Sequence, residues 1–228
     1  MKRELKGKYL LAAFITIVIF LLGMLLGMVV ESKRVDYMSS VAEEQKLYFG
    51  SLQLQYQFME QLGQEKNCPA ASATFEKYMT TLVKAQERLE KYESDANLDN
   101  SEFRKLKQEY TQAEINFWLL SEKEKNICER DSASIIYFYS TDKNCADCDE
   151  QAFILSYLKQ AFKDRLYIFT IDETLDIEPM VSILKGTYNI TTYPSIVIEG
   201  KRFSGMTDKD TIVKEICKHY KSNVSECE

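Results

Sequence analysis

Cys145-Ala146-Asp147-Cys148 constrains this chain more than any other stretch. An apolar β-type run, Ile135-Ile136-Tyr137-Phe138-Tyr139, precedes it, and a run of helical period, Gln151 to Phe162, follows it. Two thiols three residues apart between a strand and a helix form the dithiol geometry of thiol–disulfide exchange. The first cysteine falls near a helix N-terminus, where unpaired N–H groups and the macrodipole favour a thiolate. The flanks oppose this. Asp142, Asp147, Asp149 and Glu150 surround the pair against one base, Lys143, and nearby carboxylates disfavour a thiolate. A less oxidising pair is expected than helix position alone implies, or a slow or purely structural one.

Little else in the chain offers chemistry. The 228 residues carry 29 basic and 35 acidic side chains, for a net charge of −6. No basic patch stands out, so no nucleic-acid partner is expected. The single histidine, His219, reads as a helix-end residue, which removes most His-based metal sites and nucleophiles. One CxxC without a second pair does not make a zinc site, so no metal is expected.

Leu10 to Val30 is an uncharged run of 21 residues. At 1.5 Å per residue it spans roughly 31 Å, about the hydrocarbon thickness of a bilayer. Met28-Val29-Val30-Glu31-Ser32 lacks the small-x-small pattern of a signal-peptide cleavage site. We read residues 10–30 as an uncleaved transmembrane helix in contact with membrane lipid. Lys2, Arg3, Lys6 and Lys8 precede it, against Lys33 and Arg34 after it. The positive-inside rule puts residues 1–9 in the cytoplasm and everything after residue 31 outside. Gly23 and Gly27 form a GxxxG pair that permits, without requiring, a homodimer.

Residues 31–129 form a helical stalk in this reading. Between about Asp36 and Glu129, proline and glycine are scarce and Glu, Lys, Gln, Leu and Ala abound. Residues on one helical face step by three and four at Phe75, Met79, Leu82, Gln86 and Leu89, and again at Phe103, Leu106, Tyr110, Ala113, Phe117 and Leu120. This predicts helices near 36–63, 69–94 and 100–128. Pro69 suits the first turn of the second, and Asp99 with Glu102 a capping box for the third. A short turn near Asn97 makes the last two antiparallel. Cys68 and Cys128 stand at similar distances on either side of that turn, so they should meet at the base of the hairpin. They are expected to form a disulfide in an oxidising compartment, with two buried free thiols as the alternative. Trp118, beside the apolar face, reads as a packing residue.

From residue 130 the signals alternate. Strands are expected at Ile135–Tyr139, Leu166–Ile171, Ser195–Glu199 and Arg202–Ser204, with a turn at Gly200-Lys201. Helices are expected at Gln151–Phe162, Glu178–Tyr188 and from Thr207 or Asp208 to His219. The order is βαβαββα with an early parallel βαβ unit. That order, the CxxC after the first strand, and Tyr188-Asn189-Ile190-Thr191-Thr192-Tyr193-Pro194-Ser195 resemble the thioredoxin superfamily.

The resemblance implies an α/β thioredoxin-like C-terminal domain over residues 130–228, following an α-helical antiparallel hairpin or coiled-coil stalk and one transmembrane helix. It implies that Tyr193–Pro194 is a cis bond beside the CxxC, in a loop that pairs with a bound substrate chain. Cys145 would be the nucleophile and Cys148 the buried resolving thiol, with no cofactor beyond the redox-active Cys145–Cys148 disulfide. The chain departs from the family pattern in several places. Asn144 stands where thioredoxins have Trp, and Ala146-Asp147 replaces Gly-Pro. The loop Ser140–Asn144 is longer by about two residues. Tyr137 or Tyr139 stands where many members carry a buried acid.

Cys217 and Cys227 remain, and a local disulfide would pin the tail to the last helix. Two functions are open at this level. One is a membrane-anchored thiol–disulfide oxidoreductase acting on exported thiol or disulfide proteins and recycled by an unknown redox partner. The other is a non-enzymatic protein-binding module whose CxxC is a structural disulfide.

Overall fold

The computed structural model describes residues 15–25, 53–54, 56–63, 65–93, 100–141 and 145–227. The chain divides into two compact units, Met1–Gln55 and Tyr56–Glu228. In the first, residues 15–25 are helical and exposed throughout. No helix among the described residues is long and apolar enough to cross a membrane. The ends of the 10–30 span, Gly27 of the glycine pair, and most of the helix expected over 36–63 lie outside the described residues.

The second unit opens with helical residues 56–63, whose Met59 and Leu62 are buried. Helix α1 (Cys68–Glu93) and helix α2 (Asn100–Cys128) follow. Pro69 sits in the first turn of α1, where its missing N–H costs nothing. The turn at 94–99, and with it the cap expected at Asp99, lies outside the described residues. The helices run antiparallel. Arg88 pairs with Glu109 near the turn, Phe75 stacks on Phe117 with ring centroids 4.8 Å apart, and Cys68 is disulfide-bonded to Cys128 at the base.

The rest is β1 (Ala133–Tyr139), α3 (Cys148–Phe162), β2 (Leu166–Asp172), α4 (Pro179–Thr187), β3 (Ser195–Ile198), β4 (Lys201–Ser204) and α5 (Lys209–Ile216). The sheet order is β2-β1-β3-β4. β1 and β2 are parallel, with Ala133 level with Leu166 and Tyr139 level with Asp172. β1 and β3 are antiparallel, with Phe138 opposite Ser195. β1 is apolar apart from Ser134 because it is central and covered on both faces. Ile135 and Tyr137 pack with Leu155 and Leu158 of α3 and Ile212 and Ile216 of α5. Ile136 and Phe138 pack with Val181 and Leu184 of α4 and with Ile115 of α2.

The hairpin is therefore part of the sheet's cover. Trp118 packs into the cluster around Phe138. Phe117 meets Phe169 and Tyr167 of β2 at 5.9 and 6.1 Å. Lys125 pairs with Glu199 at 2.6 Å, and Gln112 donates to Glu178 at 2.7 Å. β2 is an edge strand, whose outward N–H groups need a partner. The buried Glu114 carboxylate of α2 accepts the Thr170 N–H at 2.8 Å.

Two expectations shift. The β3–β4 turn is Glu199-Gly200, one residue earlier than expected, with φ of 47° and 82°. A two-residue hairpin of this hand requires positive φ at both central positions, and Gly200 serves at the second. The last helix ends at Ile216, with Cys217 at its C-cap, so His219 lies beyond it.

Candidate functional site

Cys148 is the first residue of α3 and is 6% exposed. Cys145 is half-buried in the turn before it. The two sulfurs are bonded, with Cα atoms 5.4 Å apart. Of residues 140–145, Asp142, Lys143 and Asn144 lie outside the described residues. The turn is held from below and from the side. The Tyr137 hydroxyl of β1 donates to the Cys148 carbonyl at 2.7 Å. Gln151, buried one turn on, accepts the Thr207 N–H at 2.8 Å and donates to its carbonyl. This ties the start of α3 to the β4–α5 loop.

Tyr193–Pro194 is cis. Because Ser195 pairs with Phe138, Pro194 falls at the end of the sheet where β1 leaves toward Cys145. A polar network joins that loop to its neighbours. Ser140 donates to Glu173 at 3.1 Å and Lys185 to Glu173 at 2.8 Å. The Lys185 ammonium lies over the Tyr193 ring, 5.4 Å from its centroid. Burial would raise the Glu173 carboxyl, but the Lys185 and Ser140 bonds hold it below the usual carboxylate range.

A pocket of about 530 Å³ opens beside the disulfide, lined by Cys145, Cys148, Tyr137, Tyr139, Ser140, Thr141, Asp149, Ala152 and Thr170. Tyr137 and Tyr139 stack with centroids 5.6 Å apart. Burial and then the Asp149 charge push the Tyr137 hydroxyl up to about 12, so it stays a donor at neutral pH. The position where an acid was missing from β1 is thus occupied by a hydroxyl bonded to backbone.

A buried acid is nevertheless close to the pocket, and sequence reasoning missed it. Glu114 accepts from the Thr170 N–H and hydroxyl, and Thr170 lines the pocket. Burial raises the Glu114 carboxyl to about 8, partly offset by the Thr170 and Tyr110 bonds. A signal was present in Ile115-Asn116-Phe117-Trp118-Leu119-Leu120. Apolar residues on several sides of one helix indicate burial on more than one face, and an acid one residue before that stretch is then enclosed.

The other cysteines stand apart. Cys128 lies five residues before the start of β1, whereas Cys145 follows its end. Seven strand residues at about 3.3 Å each put roughly 20 Å of sheet between them. Cys217 is bonded to Cys227, and Val224 between them is buried against α5. His219 is exposed. No cluster of His, Cys, Asp and Glu among the described residues is arranged to hold a metal ion.

Solved structures with a similar head exist. Thioredoxin-2 of a malaria parasite, a component of its protein secretion machinery, matches at 18% identity and a TM-score of 0.33, over 40% of this chain and 85% of its own. Chloroplastic thioredoxin z matches at 25% identity and a TM-score of 0.33, over 43% and 87%. A thioredoxin-like protein of Clostridium perfringens matches at 20% identity and a TM-score of 0.34, over 39% and 71%. No protein-family model and no curated protein matches the chain. The thioredoxin-like fold of the head stands on its own topology: the βαβαββα order, the mixed four-stranded sheet, the CxxC opening a helix after the central strand, and the cis proline before β3.

Proposed function

We propose that this chain is a thiol–disulfide oxidoreductase that works through Cys145 and Cys148. The observation that carries the reading is the asymmetry of the pair. Cys145 is partly open beside a pocket, while Cys148 is covered at the first turn of α3. The Cys145 thiolate attacks one sulfur of a substrate disulfide, forming a mixed disulfide and releasing a thiolate. The Cys148 thiolate then attacks Cys145, freeing the second substrate thiolate and closing Cys145–Cys148. The substrate gains two electrons and the dithiol loses them, and the reverse sequence oxidises a substrate dithiol. Tyr193 and Pro194 form the loop against which the substrate backbone lies.

The uncharged run at 10–30 and its flanking charges support an anchor with the thiol chemistry outside the cytoplasm, on exported proteins. Bonded cysteines at the hairpin base and in the tail fit an oxidising compartment. The hairpin itself covers part of the head's sheet.

The test is trapping with Cys148→Ser in the full-length chain in detergent. The variant should hold one peptide substrate per chain through Cys145, released by dithiothreitol. Absence of any adduct at Cys145 contradicts the reading.

A further inference from the structure

We infer that Lys185 is a positioning residue that selects substrates: held by Glu173, it fixes the Tyr193–Pro194 loop against the dithiol and so favours polypeptide disulfides over small ones. The inference rests on the exchange reaction proposed above and concerns which substrates it takes.

Lys185 stands in the last turn of α4 and touches the loop at both ends. Its carbonyl accepts the Ile190 N–H at 2.8 Å, where the chain leaves the helix. Its ammonium lies over the Tyr193 ring on the N-terminal side of the cis bond. The same ammonium is held from the other side by Glu173, at 2.8 Å. Glu173 follows β2, and its N–H donates to the Tyr139 carbonyl at 2.9 Å. Its carboxylate accepts from Ser140 at 3.1 Å. Tyr139 ends β1 and Ser140 begins the segment that runs to Cys145. The Lys185–Glu173 pair thus links the segment that leads to the dithiol with the loop that faces it.

Stability does not account for this arrangement. The Lys185 and Glu173 side chains are 28% and 22% exposed, and ion pairs open to solvent add little to folding. The pair instead restricts one side chain at the site. An ammonium over an aromatic face is attracted to it, so Tyr193 is held at a set distance from Glu173 and Ser140. The rest of the loop is already fixed by backbone bonds. Arg202 donates to the Asn189 carbonyl, and the Ser195 hydroxyl donates to the Thr192 carbonyl at 2.7 Å. Without the cation, a substrate backbone laid along Tyr193 and Pro194 must first order that ring, which weakens binding. A small disulfide that meets only Cys145 does not touch the ring.

The experiment uses the pre-reduced full-length chain in neutral detergent and two uncharged disulfides. One is the disulfide-linked dimer of acetyl-Gly-Ala-Cys-Ala-Gly amide, which has a peptide backbone. The other is 2-hydroxyethyl disulfide, which has none. Each oxidation rate is divided by that of free dithiothreitol with the same disulfide, and the ratio of peptide to small disulfide is read. The natural chain should prefer the peptide. Lys185→Met keeps the alkyl chain and removes the cation, and should lower the ratio at least about fivefold. The loss should come from a higher half-saturation concentration for the peptide, with the maximal rate unchanged. Lys185→Arg keeps a cation over the ring and should stay within about twofold of the natural chain. Glu173→Gln should lower the ratio as Lys185→Met does, and it carries the test if Lys185→Met does not fold. An ion pair with a structural role alone would lower the melting temperature and leave the ratio. No preference for the peptide in the natural chain, an unchanged ratio in the variant that folds, or a fall in maximal rate alone overturns the inference. So does a loss in Lys185→Arg equal to that in Lys185→Met. Each of these leaves the exchange reaction standing, whereas no oxidation by either disulfide removes both.

Discussion

The Glu114 carboxyl accepts the Thr170 N–H at 2.8 Å, and this bond joins α2 to the open edge of β2 beside the dithiol pocket. A buried carboxyl that meets only neutral donors keeps its proton more readily than it does in water. Its folded value, about 8, lies above the usual 4.5. The native state then binds more protons than the unfolded chain between those values. The stabilisation is complete below about pH 4.5 and is lost as pH rises through 8.

Glu114→Gln should remove that dependence. Between pH 5 and 8.5 the natural chain should lose about 2–4 kcal/mol more stability than Glu114→Gln does. Urea denaturation at several pH values measures the difference, and equal slopes contradict it. Glu114→Ala leaves the Thr170 donors without a protein partner and should cost about 1–3 kcal/mol at pH 6.

Trp118 is the only tryptophan and packs against the cluster around Phe138. Its emission should report the contact between hairpin and sheet. In Glu114→Ala it should shift to longer wavelength before global unfolding in urea, since α2 loses its hold on the strand edge. A single coincident transition would mean that hairpin and sheet unfold as one unit.

The Cys68–Cys128 bond closes a span of 60 residues. Its removal in Cys68→Ala with Cys128→Ala should cost about 2–4 kcal/mol while leaving adduct formation at Cys145 intact. Thermal melts and the trapping assay separate the two effects. Loss of trapping would mean that hairpin closure is required by the dithiol.

Tyr137→Phe deletes the donor to the Cys148 carbonyl, a bond of 2.7 Å. The cost in stability should be about 1 kcal/mol or slightly more. The rate at which Cys148 resolves a mixed disulfide should change, because the turn carrying it loosens. Quenched-flow of the Cys145 adduct reads that rate, and an unchanged rate assigns Tyr137 to packing alone.

Much of the head was legible because its signals are local. An apolar run, two spaced thiols and a proline after an extended dipeptide each fix a nearby backbone geometry. The hairpin was legible from helix period and from Cys68 and Cys128 flanking one turn. What α2 touches was not. Periodicity shows which residues are apolar, and Phe117 and Trp118 satisfy that by meeting β2 and the Phe138 cluster as readily as another helix. Glu114 was hidden for the same reason, since its acceptor role depends on an edge strand more than 50 residues away. The turn at Glu199-Gly200 was displaced by one residue because hairpin register is set by backbone twist, which composition does not encode.

The most direct measurement is a redox titration of the full-length chain in glutathione and dithiothreitol buffers, with each cysteine followed by mass spectrometry after alkylation. Cys145 and Cys148 should titrate together and reversibly between roughly −120 and −300 mV, while Cys68–Cys128 and Cys217–Cys227 stay bonded. If Cys145–Cys148 resists reduction as far as those two bonds do, the pair is a structural staple and the oxidoreductase reading is contradicted.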